Sequence, residues 1–182
     1  MKGNPRGSGY AYAEYSWYCE PRRAIDALLD VEKFDGSVWD PACGGGNIPR
    51  ACRDRGIEAI GTDIVQRGGA DAVADFLRDT PLSMDHIITN PPFELAVEFT
   101  LHALSLARHK VAIVQRTSWL EGRKRHRQLF SGGRLARMWQ FSSRISMPPG
   151  GVNVAAKNGS VSYAWFVFSN DHQGPPTLGW LP

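Results

Sequence analysis

Residues Asp85 to Phe93, Asp-His-Ile-Ile-Thr-Asn-Pro-Pro-Phe, bring together the groups in this chain best suited to do chemistry. Ile87 and Ile88 are β-branched and suit a strand covered on both faces. Pro91 and Pro92 end that strand. Neither proline has an N–H to donate, and Pro91 biases Asn90 towards extended backbone. A side-chain amide, a bare carbonyl and the ring of Phe93 are thereby held at the C-terminal end of a strand, where open α/β sheets bind ligands. Two oxygen acceptors side by side can take the N–H bonds of a bound amine and localise its lone pair, while the ring packs on a flat partner. A plain Pro-Pro turn closing a strand would look the same from these four residues alone.

The segment Ser37-Val-Trp-Asp-Pro-Ala-Cys-Gly-Gly-Gly-Asn47 reads as a short strand, Val38 and Trp39, running into a glycine turn that lets backbone approach a ligand closely. Asn47 is a good N-cap for a following helix whose first turn tolerates Pro49. The turn lacks the Lys-Ser/Thr of a phosphate loop, and Pro49 stands where a dinucleotide fingerprint would place its third glycine. Glu58 to Ile64 reads as a second strand ending in Asp63, which lies 19 positions beyond Gly44. An acid at about that distance takes ribose hydroxyls, although a solvated strand-end aspartate has the same appearance. Ala70 to Leu77 supplies a third strand and its exit, with Asp71 and Asp75 both available to a ligand.

Other elements must position these groups. Pro21 suits the first turn of a helix with an apolar face of Ala24, Ile25, Leu28 and Leu29. Leu95, Phe99, Leu101, Leu104 and Leu106 mark a packed helix between Glu94 and His109, and Lys110 to Gln115 is a fifth strand. Five strands alternating with helices predict a doubly wound α/β sheet. Two more strands, one around Met138, Trp139 and Phe141 and one over Tyr163 to Phe168, form an antiparallel closing pair. The Gly-, Pro- and Asn-rich stretch Pro148 to Ser160 is expected to be a loop returning to the ligand face. Asp171 to Pro182 reads as irregular, and residues 1–13 as a loose arm.

Taken in order, these motifs resemble the S-adenosylmethionine-dependent amino-methyltransferases, over roughly Tyr15 to Phe168. Asn90-Pro91-Pro92-Phe93 matches their catalytic turn, and Asp40-Pro41-Ala42-Cys43-Gly44-Gly45-Gly46 their cofactor loop. Tyr18-Cys19-Glu20-Pro21 matches their N-terminal Tyr-x-Thr-Pro segment, with Glu20 where threonine is usual. The resemblance implies a Rossmann-like class I fold, a mostly parallel seven-stranded sheet with an antiparallel closing strand. It implies that Asp40 holds the cofactor's amino group while Pro41, Ala42, Cys43, Gly44 and Gly46 line its methionine and ribose. Tyr18 and Pro21 would lie over the methionine end, Asp63 and Ile64 at the ribose, and Asp75 and Phe76 at the adenine, with S-adenosylhomocysteine as the product. Asn90 and the Pro91 carbonyl would accept from an exocyclic amine, Pro92 would stiffen the turn, and Phe93 would stack on an extruded base. Cys43 reads as a small loop filler, since the cytosine-C5 class needs a Pro-Cys dipeptide. The Asn-Pro-Pro-Phe form is similar to that of small phage or prophage DNA enzymes acting on adenine N6. RNA amino-methyltransferases (adenine N6 or guanine N2), protein glutamine methyltransferases and a cofactor-binding module without catalysis stay open.

The 182 residues suit a single domain, with no remainder for a separate target-recognition domain. The net charge of +3 permits a nucleic-acid partner. Arg123, Lys124, Arg125 and Arg127 form the densest basic cluster, either a phosphate-contacting segment or a solvated helix face; Arg144 and Phe141 could reach a flipped base, though packing suits Phe141. Segments 117–133 and 148–162 are the candidates for reading a target, alone or through a homodimer. Three cysteines without a CxxC pair suggest a reduced, cytoplasmic protein and no zinc site. No run approaches transmembrane length, so no membrane role and no metal are expected.

Overall fold

The computed structural model describes residues 16–79, 82–151 and 161–182. The N-terminal arm and most of the loop expected over Pro148 to Ser160 lie outside the described residues. The elements are α1 (Arg22–Val31), β1 (Val38–Asp40), α2 (Asn47–Arg53), β2 (Ala59–Asp63), β3 (Ala72–Val73), β4 (His86–Thr89), α3 (Ala96–Leu106), β5 (Lys110–Arg116), α4 (Arg123–Arg125), β6 (Leu135–Phe141), β7 (Tyr163–Ser169) and β8 (Thr177–Leu181). They build one sheet in the order β3-β2-β1-β4-β5-β7-β6-β8. β1 to β5 pair in parallel and β7 runs antiparallel between β5 and β6.

The period of two along the strands divides the core between the two faces. Val111 and Ile113 of β5 pack with Phe166 and Phe168 of β7 on the α3 side. Ala112 and Val114 pack with Trp165 and Val167 on the side covered by α1 and α2. Burial on both faces explains why these strands read as continuous apolar runs. The Trp165 indole N–H donates to the Ala24 carbonyl at 2.9 Å, fixing α1 against the middle of the sheet.

The chain winds outwards from β1 to β3 and then returns to lay β4 beside β1. The connections on either side of this switch point leave in opposite directions and open a crevice beyond the strand ends. Asp40 ends β1 and Asn90 follows β4, so both sit at the mouth of that crevice.

Four local expectations are corrected. The tail is not irregular: Thr177–Leu181 adds an eighth strand, parallel to β6, where seven were expected. Gly179 sits within it because a Cβ there would come within 2.1 Å of the Trp139 ring. The N-cap of α2 is Gly46 at φ 78°, not Asn47, whose amide instead donates to the Glu20 carbonyl at 3.1 Å. The expected third strand shrinks to two residues, and α3 begins at Ala96 after a 3-10 turn over Phe93–Leu95.

Candidate active site

The site starts from the end of β4. Thr89 is buried, and after it the two prolines hold the backbone extended until the 3-10 turn begins at Phe93. This turn separates two adjoining cavities. Asn90 and Pro92 line the first, of about 430 Å³, together with Tyr18, Pro41, Ala42, Asp63, Ile64, Asp75 and Phe76. Phe93 lines the second, of about 260 Å³, with Gln115, Arg116, Trp119 and Arg125. Tyr18 and Glu94 border both.

The Asn90 amide is oriented by the segment before α1. Its Nδ2 donates to the Tyr18 carbonyl at 2.8 Å and to Glu20 Oε2 at 3.1 Å. Both N–H bonds are thus committed, which leaves Oδ1 as the acceptor. The Tyr18 segment is itself held by Pro148–Gly150: Cys19 donates to the Pro148 carbonyl at 2.8 Å and Gly150 to the Trp17 carbonyl at 2.9 Å.

Glu20 and Asp40 are buried, at 6% and 1% exposure. Burial pushes the Glu20 carboxyl up to about 7, against the Asn90 hydrogen bond that lowers it. Burial and the neighbouring Glu20 charge raise the Asp40 carboxyl well above its ordinary value. Two such acids side by side favour a cationic ligand.

The glycine turn is locked to β2 by Asp63, whose Oδ2 accepts the Gly44 N–H at 2.8 Å while Oδ1 takes the Val65 N–H at 3.0 Å. Gly44 adopts φ 51° and supports the Trp17 indole, which a Cβ would meet at 2.4 Å. Arg67 lies over that indole, 4.5 Å from the ring centroid, and lines the first cavity. Asp40, Cys43, Gly44, Gly46 and Pro21 are not on the lining of the first cavity. Asp40 ends β1, Cys43, Gly44 and Gly46 belong to the turn, and Pro21 caps the start of α1. Burial also raises the thiols of Cys19, Cys43 and Cys52, which makes all three poor nucleophiles.

Of the two candidate acids after β2, Asp75 lines the cavity and Asp71 does not. Asp71 takes the Gly61 N–H at 2.8 Å and pairs with Arg53. Phe76 is buried edge-on to Trp39, with ring centroids 5.2 Å apart. Phe93 stacks on Tyr18 with centroids 5.7 Å apart, and the Arg116 guanidinium lies 5.1 Å from its ring. A base that stacks on Phe93 must therefore share or displace these partners.

The basic cluster is divided. Arg123, Lys124 and Arg127 are exposed. Arg125 turns inwards instead and donates to the Trp119 and Glu121 carbonyls at 2.7 and 2.6 Å. Arg144 is exposed, and its carbonyl accepts from Arg23 at 3.0 Å. Phe141 is core, at 5% exposure. Sequence reasoning missed Glu20, Gln115 and Trp119. Gln115 carries the same signal as Asn90, an amide ending an apolar strand. Glu20 stands out in sequence only as a departure from threonine in the Tyr18-to-Pro21 segment; its contact with Asn90 depends on how α1 docks. Among the described residues no group of acids, cysteines and histidines could hold a metal, and no helix is long and apolar enough to cross a membrane.

No protein-family model and no curated protein sequence matches the chain. Solved structures do. A candidate RNA methyltransferase from Pyrococcus horikoshii superposes with a TM-score of 0.65 at 18% identity, over 90% of this chain and 91% of that one. A candidate class I S-adenosylmethionine-dependent methyltransferase from Listeria monocytogenes gives 0.57 at 13% identity, over 87% and 62%. Magnesium protoporphyrin IX methyltransferase from Synechocystis, solved with S-adenosylmethionine bound, gives 0.52 at 15% identity, over 80% and 79%. The fold is therefore that of the class I S-adenosylmethionine-dependent methyltransferases, extended at one edge by β8.

Proposed function

We propose that this protein is an S-adenosylmethionine-dependent methyltransferase that methylates the exocyclic N6 amine of adenine in DNA. The observation that carries this reading is the Asn90-Pro91-Pro92-Phe93 turn, which stands between two adjoining cavities with both Asn90 N–H bonds already committed.

The residues of the first cavity fit S-adenosylmethionine. The cofactor is cationic at its sulfonium and ammonium groups, and the buried Glu20 and Asp40 carboxyls stand just off the lining, hydrogen-bonded to Asn90 and to the Ala42 N–H that are on it. Asp63 has lone pairs left for ribose hydroxyls, and Asp75 beside Phe76 offers an acceptor and an apolar wall for adenine. When bound, the cofactor supplies an electrophilic methyl group.

The chain does the rest. Asn90 Oδ1 and the Pro91 carbonyl accept the N–H bonds of the target amine, which localises its lone pair for attack. Once methylated, the amine held by these two oxygens would release its extra proton to solvent. Glu20 keeps the Asn90 amide from turning its nitrogen towards the amine. Arg123, Lys124 and Arg127 contact phosphates, which positions the polynucleotide without reading its sequence. Sequence preference is short or weak, or is completed by a second copy.

The test supplies labelled S-adenosylmethionine with duplex DNA, single-stranded DNA, RNA and total protein in parallel, followed by digestion and mass spectrometry. Label in N6-methyladenine from DNA supports the proposal. The Pyrococcus neighbour is a candidate RNA methyltransferase, which favours RNA as the second reading. Label in RNA or in glutamine would replace the substrate, and a strict six-base DNA target would overturn the weak-recognition proposal.

A further inference from the structure

The second cavity holds a buried polar group that finds no partner among the described residues. Gln115 ends the apolar run of β5 and is 2% exposed. Its Nε2 is buried and finds no hydrogen-bond partner among the described residues, yet the residue lines the second cavity. A buried donor left unpaired is disfavoured unless something else comes to satisfy it.

The surroundings narrow what that something is. Tyr18, Phe93 and Trp119 give the cavity aromatic walls. Arg116 and Arg125 add guanidinium donors, each with a buried Nε that has no partner among the described residues. The one acid among the described residues of the lining, Glu94, is exposed and already accepts the Ser16 hydroxyl at 2.8 Å. The cavity therefore suits a flat ring with acceptor atoms on its edge. An aliphatic amide such as a protein glutamine has no ring for these walls.

Strand order puts the donor next to the reaction centre. β4 and β5 are neighbours in parallel, with Thr89 opposite Ile113, so Gln115 lies level with the turn that begins at Asn90. Gln115 shares the sheet face of Ile113, whereas Arg116 lies with Phe93 on the other face.

We infer that Gln115 reads the acceptor base: its side-chain Nε2 donates to a ring nitrogen of an adenine seated in the second cavity with its amine towards Asn90. This rests on the function proposed above and names the residue that identifies the base. Adenine carries a ring nitrogen acceptor on either side of its amine, N1 and N7, so Nε2 can donate to one of them while both amine N–H bonds stay with Asn90 and the Pro91 carbonyl.

The test is a cycle between enzyme and base. Oligonucleotides, deoxy and ribo in parallel, carry a single adenine, 1-deazaadenine or 7-deazaadenine at the methylated position. Wild-type enzyme is compared with Gln115→Ala and with Gln115→Met, which keeps volume but has no donor. Equal S-adenosylmethionine affinity by calorimetry shows that each variant is folded. One of the deaza bases should lower wild-type kcat/KM about tenfold, the scale of one lost hydrogen bond. Both variants should lose about as much on adenine and be indifferent to that deaza base.

The inference fails if the wild type is indifferent to both deaza bases. It also fails if variants and wild type respond to them equally, or if Gln115→Met methylates adenine as fast as the wild type. In those cases adenine methylation by the wild type leaves the proposed function standing. Transfer of label to glutamine or to no adenine would overturn both.

Discussion

The buried carboxylate of Glu20 accepts from the Asn90 side-chain amide at 3.1 Å, across 70 positions of sequence. This contact couples the segment before α1 to the turn after β4, and the Tyr18 carbonyl supplies the second acceptor on the same nitrogen. It sets which end of a symmetric-looking amide faces a ligand. The pattern this segment resembles usually has threonine here, so Glu20 puts a titratable group where a neutral one is usual.

That charge has a pH signature. Burial raises the Glu20 carboxyl from an ordinary 4.5 to about 7. Between these values the folded protein holds a proton that the unfolded chain has released. The associated stability is complete below 4.5 and is lost as pH rises through about 7. Glu20→Gln removes this dependence, whereas Asp40 and His86 titrate in both proteins. Denaturant unfolding of wild type and variant across this window should show a difference that changes with pH; parallel curves would mean that Glu20 does not titrate there.

Asn90→Ala should lower kcat about a hundredfold or more, the usual scale for a lost group that stabilises the transition state. Cofactor affinity should change far less, because the other cavity-lining residues remain. Single-turnover methyl transfer and calorimetry measure the two effects separately. Unchanged turnover would remove the turn from the chemistry.

Asp63→Ala should weaken cofactor binding about tenfold to a hundredfold. The aspartate both faces the first cavity and holds the Gly44 N–H, so its loss frees the glycine turn as well. Calorimetry is again the readout, and unaltered affinity would place Asp63 outside the binding site.

Glu32 gives a contrast far from the site. It follows α1 and accepts from Arg137, from the Trp139 indole at 2.9 Å and from Lys110 at 2.9 Å, tying the helix to the opposite end of the sheet from Asn90. Glu32→Ala strands these donors and should cost about 2–4 kcal/mol of stability. Chemical denaturation checks the loss, and kcat at a temperature where the variant is folded should match wild type.

Replacing Arg123, Lys124 and Arg127 together by alanine should weaken polynucleotide binding uniformly across sequences. It should also reduce the slope of log affinity against log salt by about 2 to 3, near 0.9 for each duplex phosphate released. Salt titrations by fluorescence anisotropy give that slope directly. An unaltered slope would make this segment a solvated surface.

What the sequence determined by itself is local or periodic. Val38-Trp39 and Ile87-Ile88 are short apolar runs stopped by Asp40-Pro41 and Asn90-Pro91, and their alternation with helical stretches along the chain reads as the strands of a wound sheet. The spacing from the glycine turn to Asp63 followed because one strand-and-helix unit has a nearly constant length. Tertiary structure decided what depends on distant pieces of chain meeting. Asp71 and Asp75 are equivalent in sequence, and only the end of β3 turns one into the cavity and the other onto Arg53. Arg125 sits within a basic run, yet the Trp119 and Glu121 carbonyls draw it inwards. β8 was hidden because a strand of mostly exposed residues has no apolar alternation to show; it forms where β6 offers an open edge. Glu20 reads as one more charge before a helix until the docking of α1 buries it against Asn90, where its hydrogen bond to a side chain 70 residues away orients the amide at the centre of the site.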